Sequence, residues 1–342
     1  MLKEYAEQFE KALSYHYFHT PFWRRAIQSE EKLREIQKKL EAQENFYEVL
    51  IYFINELHKI SPITLSPDNI RTNWIDFRPR DPNKRVRYYQ SSASGGEEAG
   101  IAIWTRDDLE KLIAYIVKTL PEIYPQFKSH LPDAGLILGP YGWYQEENTE
   151  LMWRLGIYDV YFIAVETHAL KKLLVENISK VQERLEPTFK RVGQVILRDE
   201  REFMVRYPPL LYDVLKPAAD RIRYFITSGV DITPQTIEKI NFDFPNSTVI
   251  PFYGDSLFGD AIGINEGNKI IYYPPPGVFI FPVKKTGNNY ELCEYGERGY
   301  KAFIKIGDGA LYVFIDKKET IGREKPRFNI EVDGFSNPSR HL

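Results

Sequence analysis

One cysteine and three methionines are all the sulfur that the 342 residues carry. A lone thiol, Cys293, excludes an internal disulfide framework and any multi-thiolate metal centre, and it suits a reducing compartment. Glu291 and Glu294 stand beside it, and acidic neighbours raise a thiol pKa, which argues against a nucleophile. The histidines (His16, His19, His58, His130, His168, His341) show no metal-binding spacing. His16 and His19, three apart among Tyr and Phe, read as packing residues on a helix. An excess of one charge is missing too. The 45 basic and 48 acidic residues leave a net charge of −3, so no basic face for nucleic acid is implied. There is no basic-then-apolar leader and no apolar run of about 18 residues, so the chain is expected to be cytoplasmic and to span no membrane. No internal repeat or low-complexity tract is visible. What is present, 43% hydrophobic and 27% charged residues, suits a globular chain with a sizeable core. Scarce Cys and Met, 23 tyrosines and Lys/Glu-rich helices fit a heat-adapted source.

Residues 1–60 read as helical. Within 30–60, Leu33, Ile36, Leu40, Phe46 and Leu50 recur mostly at three- and four-residue spacings and form one apolar stripe. Four prolines between 62 and 86 mark a loop-rich lead-in. From there strand-like and helix-like runs alternate. Strands are expected at Gly100–Trp104, Ala134–Leu138, Val160–Val165, Ile222–Thr227 and Ser247–Tyr253. Helices are expected from Thr105, as cap, to about Leu120, from Thr167 to about Leu185, and over Pro234–Ile240 with Thr233 as cap. Arg206–Pro217 reads as extended, then helical. After about 260 the pattern changes to short strands (Ile270–Tyr273, Val278–Val283, Tyr300–Ile306, Ala310–Ile315) joined by Gly/Asn/Pro turns. The expected fold class is α/β, a mixed, mainly parallel sheet flanked by helices, with a helical N-terminal segment and a small C-terminal β-subdomain. The expected units are 1–85, 86–260 and 261–342. Ligands in such sheets sit at the carboxyl ends of the strands.

Four segments carry chemistry by order. Ser91, Ser92, Ser94, Gly95 and Gly96 form a loop rich in hydroxyls and backbone N–H groups, of the kind that wraps a polyphosphate. A strand runs into Ser228-Gly229; then come Phe252-Tyr253-Gly254-Asp255-Ser256 and Lys305-Ile306-Gly307-Asp308-Gly309. Singly each also reads as an ordinary turn. In this order and at these separations they resemble the adenylate-forming superfamily of acyl-, aryl- and luciferase-type synthetases. The nearest flavour is the phenylacetate–CoA ligase branch and the acyl-protein synthetases of bacterial luminescence, over roughly residues 85–325.

The resemblance implies ATP and magnesium as cofactors and a small carboxylic acid as substrate. The acid attacks the α-phosphorus, pyrophosphate leaves, and the acyl-AMP passes to a partner. It implies Ser91, Ser92, Ser94, Gly95 and Gly96 as the phosphate loop, and Gly229, Tyr253, Gly254 and Asp255 around the adenine, with Tyr253 stacked on the base. It puts Asp308 on the ribose hydroxyls, and Ser256 near the α-phosphate as a catalytic residue with Arg323. Gly139, Tyr141 and Trp143 would line the pocket of an apolar or aromatic acid.

Three features depart from the family pattern. Its magnesium-holding glutamate is Leu257 here, with Asp255 or Asp260 as candidate substitutes. The serine loop ends in Glu97-Glu98, and a like charge beside a phosphate costs on the order of a few kcal/mol. The family's mobile lid has no counterpart after Gly322-Arg323, so a lid-less protein is expected, with the lid or the acyl acceptor supplied by a partner. The same pattern fits a nucleotide- or acyl-binding module that has lost catalysis.

Overall fold

The computed structural model describes residues 2–41, 45–60, 66–90, 101–165, 178–207, 209–228 and 232–340. The N-terminal apolar stripe is divided between separate helices. Leu33, Ile36 and Leu40 lie on α3 (Glu30–Glu41), Phe46 and Leu50 on α4 (Phe46–Ile60), and all five are buried. They follow α1 (Leu2–His19) and α2 (Pro21–Ile27) and precede the short α5 (Pro67–Thr72) and α6 (Trp74–Phe77). A hairpin, β1 (Val86–Gln90) with β2 (Ile101–Thr105), stands apart from the main sheet. Thr105 then caps α7 (Arg106–Ile123) through a reciprocal capping box with Asp108. Pro121 does not stop this helix. It falls in the last turn, where its missing N–H removes only one bond, and the helix ends two residues later.

The parallel core comes from residues 134–255. It comprises β3 (Ala134–Gly139), β4 (Asp159–Ala164), β5 (Phe203–Arg206), β6 (Ile222–Thr227) and β7 (Thr248–Asp255), laid out as β4-β3-β5-β6-β7. β3 is buried along its whole length, as a continuous apolar run in a parallel sheet should be. Among the described residues three α-helices connect these strands: α8 (Trp143–Leu155), α9 (Ile178–Arg198) and α10 (Pro234–Asp243). α8 was not legible in advance. It opens at Gly142 (φ 93°) and closes at Gly156 (φ 100°), backbone settings that favour glycine. The expected helix over 167–185 falls partly on residues 166–177, which lie outside the described ones; α9 runs on to Arg198. β5 ends at Arg206, where the extended stretch was expected to begin, and Pro209–Arg221 follows in 3-10 turns.

The strand order reverses direction between β3 and β5. The chain moves outward from β3 to β4, then crosses back to β5 and continues to β6 and β7. The carboxyl ends of β3 and β5 therefore flank the crevice where open α/β sheets bind ligands.

Beyond β7 the same sheet continues antiparallel. β8 (Gly259–Asn265), β9 (Ile270–Tyr273), β10 (Val278–Thr286), β11 (Asn289–Leu292), β12 (Arg298–Ile306), β13 (Leu311–Glu324) and β14 (Gly334–Arg340) extend it in the order β8-β9-β14-β13-β12-β10-β11. Among the described residues this makes a 12-stranded mixed sheet, an α/β architecture. The N-terminal helices cover the antiparallel wing. Trp23 Nε1 donates to the Leu311 carbonyl at 3.0 Å, Asn55 exchanges two hydrogen bonds with the Tyr290 backbone, and Phe279 packs against Tyr5 and Phe46. No helix among the described residues is long and apolar enough to cross a membrane.

Packing beside the crevice is close. A Cβ on Gly139 would meet the Tyr144 ring at 2.2 Å. Gly139→Ala is therefore expected to destabilise the protein by about 1–3 kcal/mol, the usual cost of overpacking. Urea denaturation checks this as a lower midpoint with an unchanged slope.

Candidate functional site

Two of the four segments singled out by sequence, those carrying Ser256 and Lys305, meet around one indole. Trp104 is 1% exposed and sits at the end of β2, the arm by which the chain leaves the serine loop. Its Nε1 donates to the Ser256 carbonyl at 2.8 Å, at the end of β7. Lys305 Nζ, from β12, lies 3.6 Å from its ring centroid. The Trp143 ring, at the start of α8, lies 5.6 Å away.

Around this indole three buried polar atoms have no hydrogen-bond partner: Lys305 Nζ, Ser256 Oγ and Trp143 Nε1. An ammonium and an indole N–H can only donate, and a hydroxyl donates readily. Unsatisfied buried donors cost about 1–3 kcal/mol each, so such a group is kept for a reason. Burial pushes the Lys305 pKa down to about 8, against the opposing pull of Asp108, Asp255 and Asp308.

The lysine is held in place by the turn after it. Asp108 accepts hydrogen bonds from the backbone N–H groups of Thr105 (3.0 Å), Asp308 (2.9 Å) and Gly309 (3.0 Å). Burial opposes ionisation of Asp108, but Lys305 and these N–H groups outweigh it and hold its pKa low. From the other side the buried His16 joins its Nε2 to the Gly307 carbonyl (3.1 Å) and its Nδ1 to Thr20 (2.8 Å). Burial lowers this imidazole to a pKa of about 4. His16 is thus a packing tether, as expected from its aromatic surroundings.

One turn along α8 from Trp143 comes Glu147, 0% exposed, with both carboxylate oxygens unpartnered. Burial first, and the Asp260 charge second, push it well above the ordinary carboxylate range, against the pull of Arg206. Arg206 ends β5 at the switch point and is 1% exposed. Its Nη2 donates to Asp260 and to Ser228, both at 2.7 Å, and its cation lies over the rings of Phe252 (4.9 Å) and Tyr144 (5.3 Å). No acceptor meets its Nε or Nη1 in hydrogen-bond geometry, although the Tyr144 hydroxyl is near enough to influence the charge. Gly254 lets this cluster close, since a Cβ there would meet Asp260 Oδ1 at 2.6 Å.

The remaining expected site residues are dispersed or engaged. Ser91, Ser92, Ser94, Gly95, Gly96 and Gly229 lie outside the described residues. Asp308 is part-exposed and pairs with Lys111 (2.9 Å) and Lys84 (3.7 Å). Asp255 is bound to Arg71 (3.0 Å) and to the Leu257 N–H (2.9 Å). The Tyr253 ring packs against Phe258, Tyr272 and Phe335. Its hydroxyl donates to Glu319 and accepts from Lys301 (2.9 Å). Tyr141 is 69% exposed. Arg323 lies apart, clamped to Asp333 (2.7 Å) and the Cys293 carbonyl (2.9 Å) with Tyr295 across its cation. The buried Cys293 thiol is pushed up to about 11, by burial first and then by Glu297. The expected neighbours Glu291 and Glu294 matter less than this turn partner.

Sequence reading assigned no role to Lys305, Trp104, Glu147 or Arg206. A signal existed for two of them. Lys305 ends Ala302-Phe303-Ile304-Lys305 and Arg206 ends Phe203-Met204-Val205-Arg206, and a cation inside an apolar strand run is seldom buried without a partner or a task.

No protein-family model matches the chain, and no curated protein matches it. Solved structures similar to it include the luciferase-like enzyme of the nonluminescent mealworm Zophobas morio, with 13% identity over 69% of this chain and 54% of that one and a TM-score of 0.40. An acyl-CoA synthetase of Brucella canis has 13% identity over 71% and 43%, with a TM-score of 0.41. An anthranilate CoA ligase, solved with anthranoyl-AMP, has 10% identity over 79% and 51%, with a TM-score of 0.45. The chain spans about half the length of these structures. At such identities the likeness says nothing of substrate.

The buried lysine can be read directly. In protein grown with carbon-13-labelled lysine, one side-chain Cε resonance is expected to titrate near pH 8, well below the ordinary lysine value of about 10.4, and to vanish in Lys305→Met.

Proposed function

We propose that this chain activates a carboxylic acid with ATP, forming the acyl adenylate and pyrophosphate. The observation that supports this most is the set of unpartnered donors, Lys305 Nζ, Ser256 Oγ and Trp143 Nε1, gathered about Trp104. Ser256 and Lys305 come from two of the segments whose order resembles that of adenylate-forming enzymes, and Trp143 from the segment expected to line the acid's pocket. A carboxylate and a triphosphate are both anionic, so bringing them together needs fixed positive charge and donors in a site shielded from water.

In this reading the three donors hold the acid's carboxylate. One carboxylate oxygen forms a bond to the α-phosphorus, the bond from that phosphorus to the bridging oxygen breaks, and pyrophosphate leaves with the electron pair. Lys305 offsets negative charge where acid and phosphoryl group meet. The indoles of Trp104 and Trp143 form an apolar, aromatic wall for the body of the acid. The serine loop and Asp308 would take the phosphates and the ribose.

Magnesium is a different matter. Among the described residues no group of three or more His, Cys, Asp and Glu could hold a metal ion. Asp255 is committed to Arg71 and Asp260 to Arg206, and Leu257 is buried. These residues do not fit magnesium ligation, and no step is routed through the ion. The same commitment of carboxylates favours a second reading, a nucleotide- or acyl-binding module without catalysis.

Exchange of labelled pyrophosphate into ATP separates the two. The first reading expects exchange that depends on added acid, falls as pH rises through about 8 with loss of the Lys305 proton, and drops about 100-fold or more in Lys305→Met. Stabilisation by ATP and acid together, without exchange, would establish the binding module instead.

A further inference from the structure

We propose that this chain takes its nucleoside triphosphate as the magnesium-free polyanion, with Arg71 and Lys305 supplying the positive charge that a divalent cation would otherwise bring. The inference rests on the proposed function for the identity of the ligand, and not on catalysis.

It starts from the turn Asp255-Ser256-Leu257 at the end of β7, whose Ser256 carbonyl accepts from Trp104 Nε1 at 2.8 Å. Where the family pattern has a metal-holding glutamate, Leu257 is fully buried. Magnesium keeps several waters and is held through one or two carboxylates together with substrate phosphates. The acidic side chains about this turn are already engaged. Both oxygens of Asp255 accept from Arg71 Nη2, at 3.0 and 3.1 Å, and one of them also accepts from the Leu257 N–H at 2.9 Å. Asp260 is held by Arg206, Asp308 by Lys111 and Lys84, and Glu319 by Lys301 and the Tyr253 hydroxyl. Asp108 is used by three backbone N–H groups.

What the turn offers instead is cationic. Arg71 reaches it from α5, which packs against β2 and β13, and Lys305 reaches it from β12. Both feel the charge of Asp255. Arg71 holds Asp255 through Nη2 and leaves its Nε without a hydrogen-bond partner, as Lys305 Nζ and Ser256 Oγ are left. A guanidinium fork and an ammonium pair directly with phosphate oxygens. A divalent cation brought to the same turn would face both of them as like charges. The turn is not sealed: Gly254 is exposed, and Arg71, Asp255 and Ser256 are half-buried.

The test is calorimetric titration of the full chain with ATP, once in EDTA and once in excess magnesium. Wild type is expected to bind ATP at least as tightly in EDTA. Arg71→Met and Lys305→Met are each expected to weaken magnesium-free ATP about tenfold or more, the usual worth of a hydrogen bond to a charged group. They should weaken magnesium–ATP less, because the metal then offsets part of the missing charge. The ratio of the two dissociation constants is therefore expected to shift toward the metal-bound form by at least about threefold. Arg71→Lys, which keeps the charge, is expected to hold the wild-type ratio more closely than Arg71→Met. Damage to the fold would weaken both forms alike, and a ratio that does not move in Lys305→Met and Arg71→Met would overturn the assignment. Tighter wild-type binding with magnesium than without it, or no binding in either buffer, would overturn it as well. Acid-dependent exchange judges the proposed function separately. Binding of magnesium-free ATP without exchange leaves this inference standing and removes adenylation, whereas exchange with binding that requires magnesium does the reverse.

Discussion

The carboxylate of Asp108 is the constraint on which the site depends. One side chain accepts from Thr105, closing the capping box of α7, and from Asp308 and Gly309, fixing the turn that follows β12. It thereby joins the end of the β1–β2 hairpin to the antiparallel wing, two parts of the chain about two hundred residues apart. Lys305, three residues before Asp308, is delivered onto the Trp104 face by that junction. His16 closes the same turn from the N-terminal helices. The charge of Asp108 also explains why a lysine with no hydrogen-bond partner remains inside the protein: burial lowers its pKa, and Asp108 restrains the fall.

The sheet supplies the other half. Its parallel strands reverse order between β3 and β5, so the residues at those strand ends face an opening rather than a neighbouring crossover. Arg206 is placed there by β5, and Glu147 by the helix that leaves β3. Trp143 of the Trp104 cluster and Glu147 beside Arg206 are one helical turn apart on α8. Natural proteins keep local rules nearly everywhere and break them at sites of function; unpartnered buried charges such as Lys305 Nζ are such a break.

Much of the architecture was legible in sequence. Ile222–Thr227 and Ile270–Tyr273 are strands over the residues expected, and Thr105 and Thr233 cap their helices through side-chain oxygens. These are local effects, and local patterns report them. Elements made by tertiary context were not visible. β14 reads Gly-Phe-Ser-Asn-Pro-Ser-Arg, with a proline and no alternation, and pairs only because β9 and β13 offer it edges. That the antiparallel strands after residue 260 continue the parallel sheet, through the pairing of β8 with β7, is a long-range fact that local patterns do not carry. The site divides in the same way. Motif order singled out the segments of Ser256 and Lys305, which meet at Trp104. The partners of individual residues, such as Asp333 for Arg323, Arg71 for Asp255 and Glu319 for Tyr253, depend on contacts across ten to nearly two hundred positions.

A crystal of the full chain soaked with a non-hydrolysable acyl-AMP analogue addresses the central claim most directly. The expected density has the acyl carbonyl or its sulfamoyl neighbour within hydrogen-bond distance of Lys305 Nζ and Ser256 Oγ, with the aryl ring beside Trp104 and Trp143. An analogue bound on another face, or ordered water filling the space around Lys305 while the analogue stays in solution, would contradict it.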